Sequence, residues 1–510
     1  LKSDFIVNSH PDVTRIAILE DGRLMELIVE KTEEKRIVGN IYLGRVNAVL
    51  PGMQAAFVDI GLERSAFLHS SDVRSGVIDA KAFAQSLVEE KPLPAEESNQ
   101  PIEDLLRRGQ DILVQVTKEP IGTKGARVSS RISIAGRYVV SMPGDPVAGV
   151  SRKIGDRKER TRLREIVQRM RGEGFGIIAR TAGTDQSEDA FKSDVERIID
   201  RWKEIGELTL RSRAPALLHQ EYDIITMTMR DLVSAEMSSF VTDSKDVFSI
   251  ARTYMKRITP DMSARVRLYR GKTPIFDQYG VEQEIVQILN REVPLKSGGS
   301  LVIDQTEALV AIDVNTRRYV GKRSQENTIL KTNLEAAKEV ARQLRLRDIG
   351  GIIVIDFIDM DIEDHREKVV NSLRSELGRD RSPTKTCQVS SLGLVEMTRK
   401  RVRPSLVQAL SEPCPHCGGT GRVLSALSAA TRLERLLERA SLQKNHRNIV
   451  VSIHPDLSEY LMRDDGRRMD HILEKAKLAV EFHEDRRMKV DQFRVFSLDT
   501  HEEITSLYDS

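Results

Sequence analysis

EALVAIDVN at residues 307–315 and GIIVIDFIDM at 351–360 decide how this chain is read. Each contains an apolar run, Ala308 to Ile312 and Ile352 to Ile355, and each run ends on an aspartate, Asp313 and Asp356. Such runs suit central strands buried on both faces. LVID at 301–304 suits another strand, and Thr328 to Leu346 reads as a helix. Residues 281–400 therefore read as α/β. Ligands of such sheets gather beyond strand ends. Two carboxylates presented there by neighbouring strands can share one hard cation, and Mg2+ fits because it takes one or two carboxylates and keeps several waters. Asn315 follows Asp313 by two residues, so continued strand geometry points it to the same face, where it can hold a metal-bound water or a phosphate oxygen. The alternative is that both aspartates cap helices or start turns, and spacing leaves it open. Asp359 and Asp361 read as turn or supporting residues, Asp304 as structural.

Working outward, residues 12–30 alternate around Asp21-Gly22 and predict a hairpin. Residues 36–125 carry short strand-like runs broken by Pro51-Gly52 and Gly61, with a polar insertion at 91–102, the pattern of a small β-barrel with an inserted loop. In MQAAFVDI (53–60) alternation puts Phe57 with Asp59; in SAFLH (65–69) Phe67 goes with Ser65 and His69. Two aromatics among polar neighbours on an OB-type barrel are stacking platforms for bases, unless they pack under the inserted loop. Residues 126–215 mix strands with a charged helix, 216–280 are mixed, 401–422 are a basic, cysteine-containing connector, and 423–510 alternate helix and strand as a small final α/β domain.

Residues 151–171 hold nine Lys/Arg against three Asp/Glu, most of which a solvated helix face explains. The strand-like GIIARTAG (176–183) follows. Its Arg180 offers a planar fork to phosphate oxygens, and Thr181 adds a hydroxyl. Cys414 and Cys417 form CPHCGGTG, similar to a zinc knuckle. Tetrahedral zinc needs four ligands, so a second chain supplying its own pair is the simplest completion; a redox pair and an unmetallated turn are the alternatives. His416 is expected to point outward.

The chain has 510 residues, 40% apolar and 31% charged, which predicts several soluble domains. Lys+Arg is 79 and Asp+Glu 77, a net charge of +2. That excludes a histone-like protein but not a nucleic-acid binder with segregated charge. Three cysteines cannot build a disulfide framework, so a reducing cytoplasm is expected. No apolar run approaches the ~18 residues of a membrane span, and no secretory leader opens the sequence, which begins with Leu1.

The stretch DVNTRRYVGKRSQENTILKTNLEAAKEVARQLRLRDIGGIIVIDFIDMD resembles the catalytic core of the bacterial ribonuclease E/G family, and the resemblance runs from GNIYLGRV to CPHCGGTG. It implies a multidomain α/β fold. The expected parts are an RNase H-like region (1–35 and 216–280), an S1 (OB-type) RNA-binding β-barrel (36–125), a 5′-phosphate sensor region (126–215), a DNase I-like catalytic region (281–400), a zinc-link (401–422) and a small C-terminal domain (423–510). The family's two Mg2+-binding aspartates fall on Asp313 and Asp356 and its catalytic asparagine on Asn315. Its RNA-stacking aromatics fall on Phe57 and Phe67, with Tyr42 as a further candidate, and its RNA-contacting lysine falls on Lys124. Its sensor for a 5′-monophosphate falls on Arg180 and Thr181, with Gly136 and Val140 against the terminal nucleotide and Lys385 a further candidate. Cys414 and Cys417 would share one structural Zn2+ across a homodimer. The implied activity is Mg2+-dependent endonucleolytic cleavage of single-stranded RNA, leaving 5′-phosphate and 3′-hydroxyl ends, in ribosomal RNA 5′-end processing and mRNA decay. The sequence stops soon after the small domain, as in the shorter ribonuclease G branch, and GLVEMTRKR (393–401) agrees with that branch. Dimer and tetramer both remain open. The competing expectations are a non-catalytic S1-type RNA-binding scaffold, disfavoured by the intact Asp313, Asn315 and Asp356, and a deoxyribonuclease.

Overall fold

In the computed structural model the chain forms two compact units, Leu1–Ala409 and Leu410–Ser510. The structure describes residues 2–508 apart from 32–35, 75–78, 90–99, 121–123, 146, 172–174, 222, 234–235, 317–324, 391–392, 402–404, 444–445 and 464. Most of the polar insertion at 91–102, and Arg403 of the basic connector, lie outside the described residues.

The hairpin expected at Asp21-Gly22 is present. Both turn residues have positive φ, 47° and 79°, and they join strands Val13–Glu20 and Arg23–Lys31. Strand Ser3–His10 pairs antiparallel with the first of these and, on its other side, parallel with Met237–Thr242. Val266–Leu268 completes this five-stranded sheet. The chain thus leaves the sheet at Lys31 and rejoins it at Met237. Two other sheets are built in between.

The first of these is a barrel. Strands Ile41–Leu50, Ala55–Asp59, Ala66–His69, Arg127–Ser129 and Asp111–Lys118 pair in that order, and the last pairs back onto the first to close it. Closure needs glycine at position 44, where an added Cβ would lie 2.5 Å from Val58 Cγ1. Strand Arg127–Ser129 lies just beyond residue 125, the expected end of the barrel. Tyr42, offered above as an RNA contact, is instead 6% exposed in the barrel core. Alternation along Ile41–Leu50 puts its ring with Val46 on the inner face, while Ile41 and Leu43 pack into a separate core on the other side.

The second is a four-stranded sheet, ordered Ala148–Val150, Phe175–Ala179, Val139–Pro143, Ile134–Ala135. The charged helix is Arg157–Met170. Several of its cations have local partners: Arg162 pairs with Glu159, Arg169 with Glu188, and Arg160 donates to the Ser151 carbonyl. A 24-residue helix, Glu188–Arg211, was not anticipated. Ser187 caps its first turn, and Phe191, Val195, Ile198, Trp202 and Ile205 recur at helical spacing into the core.

The sheet carrying Asp313 and Asp356 has six strands, ordered Glu292–Pro294, Ser300–Gln305, Leu309–Asn315, Gly351–Asp356, Leu394–Arg399, Thr384–Val389. Only the central pair, Leu309–Asn315 with Gly351–Asp356, is parallel. This corrects the expectation of strands buried on both faces. Val310, Ile312, Val314, Ile353 and Ile355 pack under helices Gln325–Leu346 and Glu363–Leu377, whereas Leu309 and Ile352 are 37% and 53% exposed on the other face. Apolar runs marked these strands, but a largely antiparallel sheet needs covering on one side only.

In the second unit, strands Asn448–Ile453, Ala479–Glu484, Phe493–Ser497 and Glu502–Glu503 form a mixed sheet. Helix Ala426–Ser441, capped by Ser425, supplies Leu433, Leu436 and Leu437 to its core. Among the described residues no helix is long and apolar enough to cross a membrane.

Candidate functional site

Asp313 and Asp356 are register partners on the parallel central pair, at the ~4.8 Å spacing of neighbouring strands. Alternation turns both toward the open face, because Ile312, Val314 and Ile355 beside them are buried under the helices. Asn315, also exposed, keeps the strand's alternation, and its Nδ2 donates to Asp313 Oδ2 at 2.7 Å. The structure thus brings together the three residues read from the sequence. Partial burial, then the charges of Asp313 and Asp359, push the Asp356 carboxyl above its ordinary range. Two crowded carboxylates beside a carboxamide are a hard, all-oxygen donor set that suits Mg2+. Among the described residues no three His, Cys, Asp or Glu side chains converge as a metal cluster, so a cation here would keep water ligands. Asp304 is held by Arg291 at the strand's far end, in keeping with a structural role.

A supporting residue had no signal in spacing or charge. Asn333, fully buried in the helix Gln325–Leu346, donates from Nδ2 to the Ile358 carbonyl at 2.8 Å and accepts from the Ile358 N–H at 3.1 Å. It fixes the chain two residues past Asp356.

On the barrel, Phe57 and Phe67 are cross-strand partners, with ring centroids 6.1 Å apart at 69°. Both are half-buried, while Ala56, Val58, Ala66 and Leu68 between them fill the core, so the rings lie on the outer face. Lys124 is exposed just before the strand Arg127–Ser129.

Arg180 and Thr181 follow the strand Phe175–Ala179. Arg180 Nη1 donates to the Gly136 carbonyl at 2.5 Å, and its Nη2 to Asp231 Oδ1 at 2.7 Å. Thr181 is exposed. Gly136 is required by close approach, since an added Cβ would lie 2.4 Å from Asp194 Oδ2. That buried carboxylate accepts N–H bonds from Arg137, Tyr138 and Val139 and so fixes the loop. Val140 is half-buried and pairs with Ala135 and Ile178. Lys385 is exposed on strand Thr384–Val389, opposite Thr398.

Cys414 and Cys417 lie in a turn with Gly418, Gly419 and Gly421 at positive φ. The Gly421 N–H points at Cys417 Sγ at 3.2 Å. Donors from Gly421 and Gly419 hold the Cys417 thiol below its ordinary value, which favours the thiolate a metal needs. His416, between the two cysteines, is half-buried. Cys387 is free and exposed on its strand.

Residues 133–402 match the sequence profile of the Ribonuclease E/G family, and 413–498 that of the RNase E/G thioredoxin-like domain. The chain is 41% identical over 465 residues to Ribonuclease G of Haemophilus influenzae, covering 91% of this chain and 92% of that one. It is 40% identical over 474 residues to Ribonuclease G of Escherichia coli K12, covering 92% and 95%. Ribonuclease E of Haemophilus influenzae is 37% identical over 511 residues, covering 99% of this chain and 53% of that protein.

Proposed function

The chain belongs to the ribonuclease E/G family, and on that premise we propose that it is a Mg2+-dependent endoribonuclease of single-stranded RNA that prefers a 5′-monophosphate end. The carrying observation is the register pairing of Asp313 with Asp356 on an open sheet face, with Asn315 beside them. In this reading the two carboxylates would hold Mg2+, which when bound would supply activation of a water and offset charge at a phosphate. Asn315, held by Asp313, orients the nucleophilic water or a phosphate oxygen. Cleavage leaves 5′-phosphate and 3′-hydroxyl ends.

Phe57 and Phe67 stack bases and Lys124 meets the phosphate backbone. Arg180 and Thr181 take the terminal phosphate, with Gly136 and Val140 beside the terminal nucleotide. Cys414 and Cys417 hold half of a structural Zn2+ site that a second copy completes, in a homodimer or tetramer. The regions divide as RNase H-like (1–35 and 216–280), S1 barrel, sensor, DNase I-like, zinc-link and C-terminal domain. Ribosomal RNA precursors and mRNA are the substrates and the cytoplasm the compartment, in keeping with three unpaired cysteines.

Incubating a 5′-monophosphorylated single-stranded RNA with and without Mg2+, beside the matching DNA, tests this. Internal cleavage of RNA alone, only with Mg2+ and with a 5′-phosphate on the downstream fragment, is the expected result. Binding without cleavage under all metal conditions would replace it with the non-catalytic scaffold.

A further inference from the structure

Asp231 is the last residue of the helix Ile224–Asp231. A carboxylate there faces the negative end of the helix dipole, normally an unfavourable place. It is three-quarters buried as well. Two guanidinium groups offset both costs. Arg230 donates from Nε to Asp231 Oδ1 at 2.8 Å and from Nη2 to Oδ2 at 3.1 Å, and Arg180 donates from Nη2 to Oδ1 at 2.7 Å. Arg230 is itself buried and fixed by Glu221 Oε1 at 2.7 Å and the Ala135 carbonyl at 3.2 Å. Burial pushes the Asp231 carboxyl up, but Arg230 and then Arg180 bring it below its ordinary range, so it is charged at neutral pH.

We infer that Asp231 is a positioning residue for 5′-end recognition, holding the Arg180 fork in the orientation that receives a terminal phosphomonoester. The inference rests on the proposed role of Arg180 and Thr181.

Asp231 and the Gly136 carbonyl engage one N–H on each terminal nitrogen of Arg180. Among the described residues, Nε–H and the second N–H on each Nη have no protein partner, so three donors remain for phosphate oxygens. A free arginine loses considerable rotamer entropy on binding; here that ordering precedes the ligand. The opposing effect is repulsion between Asp231 and phosphate. It is weakened because Arg230 grips both Asp231 oxygens, and because the whole cluster, Arg180 and Arg230 against Asp231 and Glu221, balances in charge instead of presenting a bare anion. Orientation therefore outweighs repulsion, and removing the carboxylate weakens recognition.

The test compares kcat/KM on one single-stranded RNA oligonucleotide carrying a 5′-monophosphate or a 5′-hydroxyl, for wild type, Arg180→Gln, Asp231→Asn and the double variant. Arg180→Gln should collapse the monophosphate/hydroxyl ratio. Asp231→Asn should lower that ratio by roughly tenfold, the size expected for a charged hydrogen bond, mainly through KM on the monophosphate. It should lower it no further when Arg180→Gln is already present. A collapsed ratio in Arg180→Gln with a wild-type ratio in Asp231→Asn would overturn the inference and leave the pocket standing. An unchanged ratio in Arg180→Gln would overturn the pocket itself. Equal losses on both RNAs in Asp231→Asn would make the residue merely structural and sink the inference. Should Asp231→Asn fail to fold, Asp231→Glu keeps a charge for Arg230 but moves the oxygen, and the same ratio decides.

Discussion

Asn333 grips Ile358 by both of its backbone groups, N–H and carbonyl, from a helix packed beneath the sheet. The loop that leaves Asp356 is therefore held at Ile358 by a side chain 25 residues earlier in sequence. Replacing it with leucine keeps the volume but strands two polar groups. Asn333→Leu should cost roughly 2–4 kcal/mol of stability, read by chemical denaturation. It should also raise the Mg2+ concentration giving half-maximal cleavage; a wild-type Mg2+ titration would detach Asn333 from the site.

Asp313→Asn keeps the shape of the strand end but removes one of two paired charges and changes the acceptor that holds Asn315. Single-turnover cleavage should fall by about a thousandfold or more, the loss of several kcal/mol of transition-state stabilisation. RNA affinity, measured by filter binding, should stay within about threefold if, as proposed, the barrel supplies it. Retained turnover would remove the metal role from Asp313.

Phe57→Ala and Phe67→Ala should each weaken single-stranded RNA binding by roughly 5- to 150-fold, the ~1–3 kcal/mol of one stacked base. Their rings meet edge to face, so the double variant should lose less than the sum. The slope of affinity against salt should not change, since neither ring touches counterion release. A changed slope with unchanged affinity at low salt would argue against stacking.

Cys414→Ser should leave the purified protein without zinc and shift its sedimentation toward single chains. Strong chelation of the wild type should do the same. An unaltered assembly in both cases would make the knuckle dispensable for association.

The elements most legible in sequence were those with a local signal. The Asp21-Gly22 turn, the strands carrying Asp313 and Asp356 and the helix through Thr328 to Leu346 follow from turn chemistry and periodicity alone. Asn315 was placed correctly because strand alternation fixed its side. What failed depended on neighbours distant in sequence. The apolar runs at 308–312 and 352–355 did not reveal that one face of their sheet is open, since that depends on where the helices pack. Tyr42, a candidate only through the family resemblance, is core, because both faces of its strand are covered, one by the barrel interior and the other by a second core. Asp231 and Asn333 were invisible for the same reason: each acts on a residue 51 or 25 positions away, and neither belongs to a local motif.

The strand Ser3–His10 finds its parallel partner only at Met237–Thr242. During synthesis the first hairpin must therefore wait for more than two hundred residues to emerge before its sheet can be finished. The five strands that close the barrel all lie before residue 130, though Ala216–His219 later adds to the edge of Ile41–Leu50, so the barrel can close in the meantime. A ribosome stalled between the two halves would display a finished barrel on an unfinished base, with the strands of Asp313 and Asp356 still untranslated.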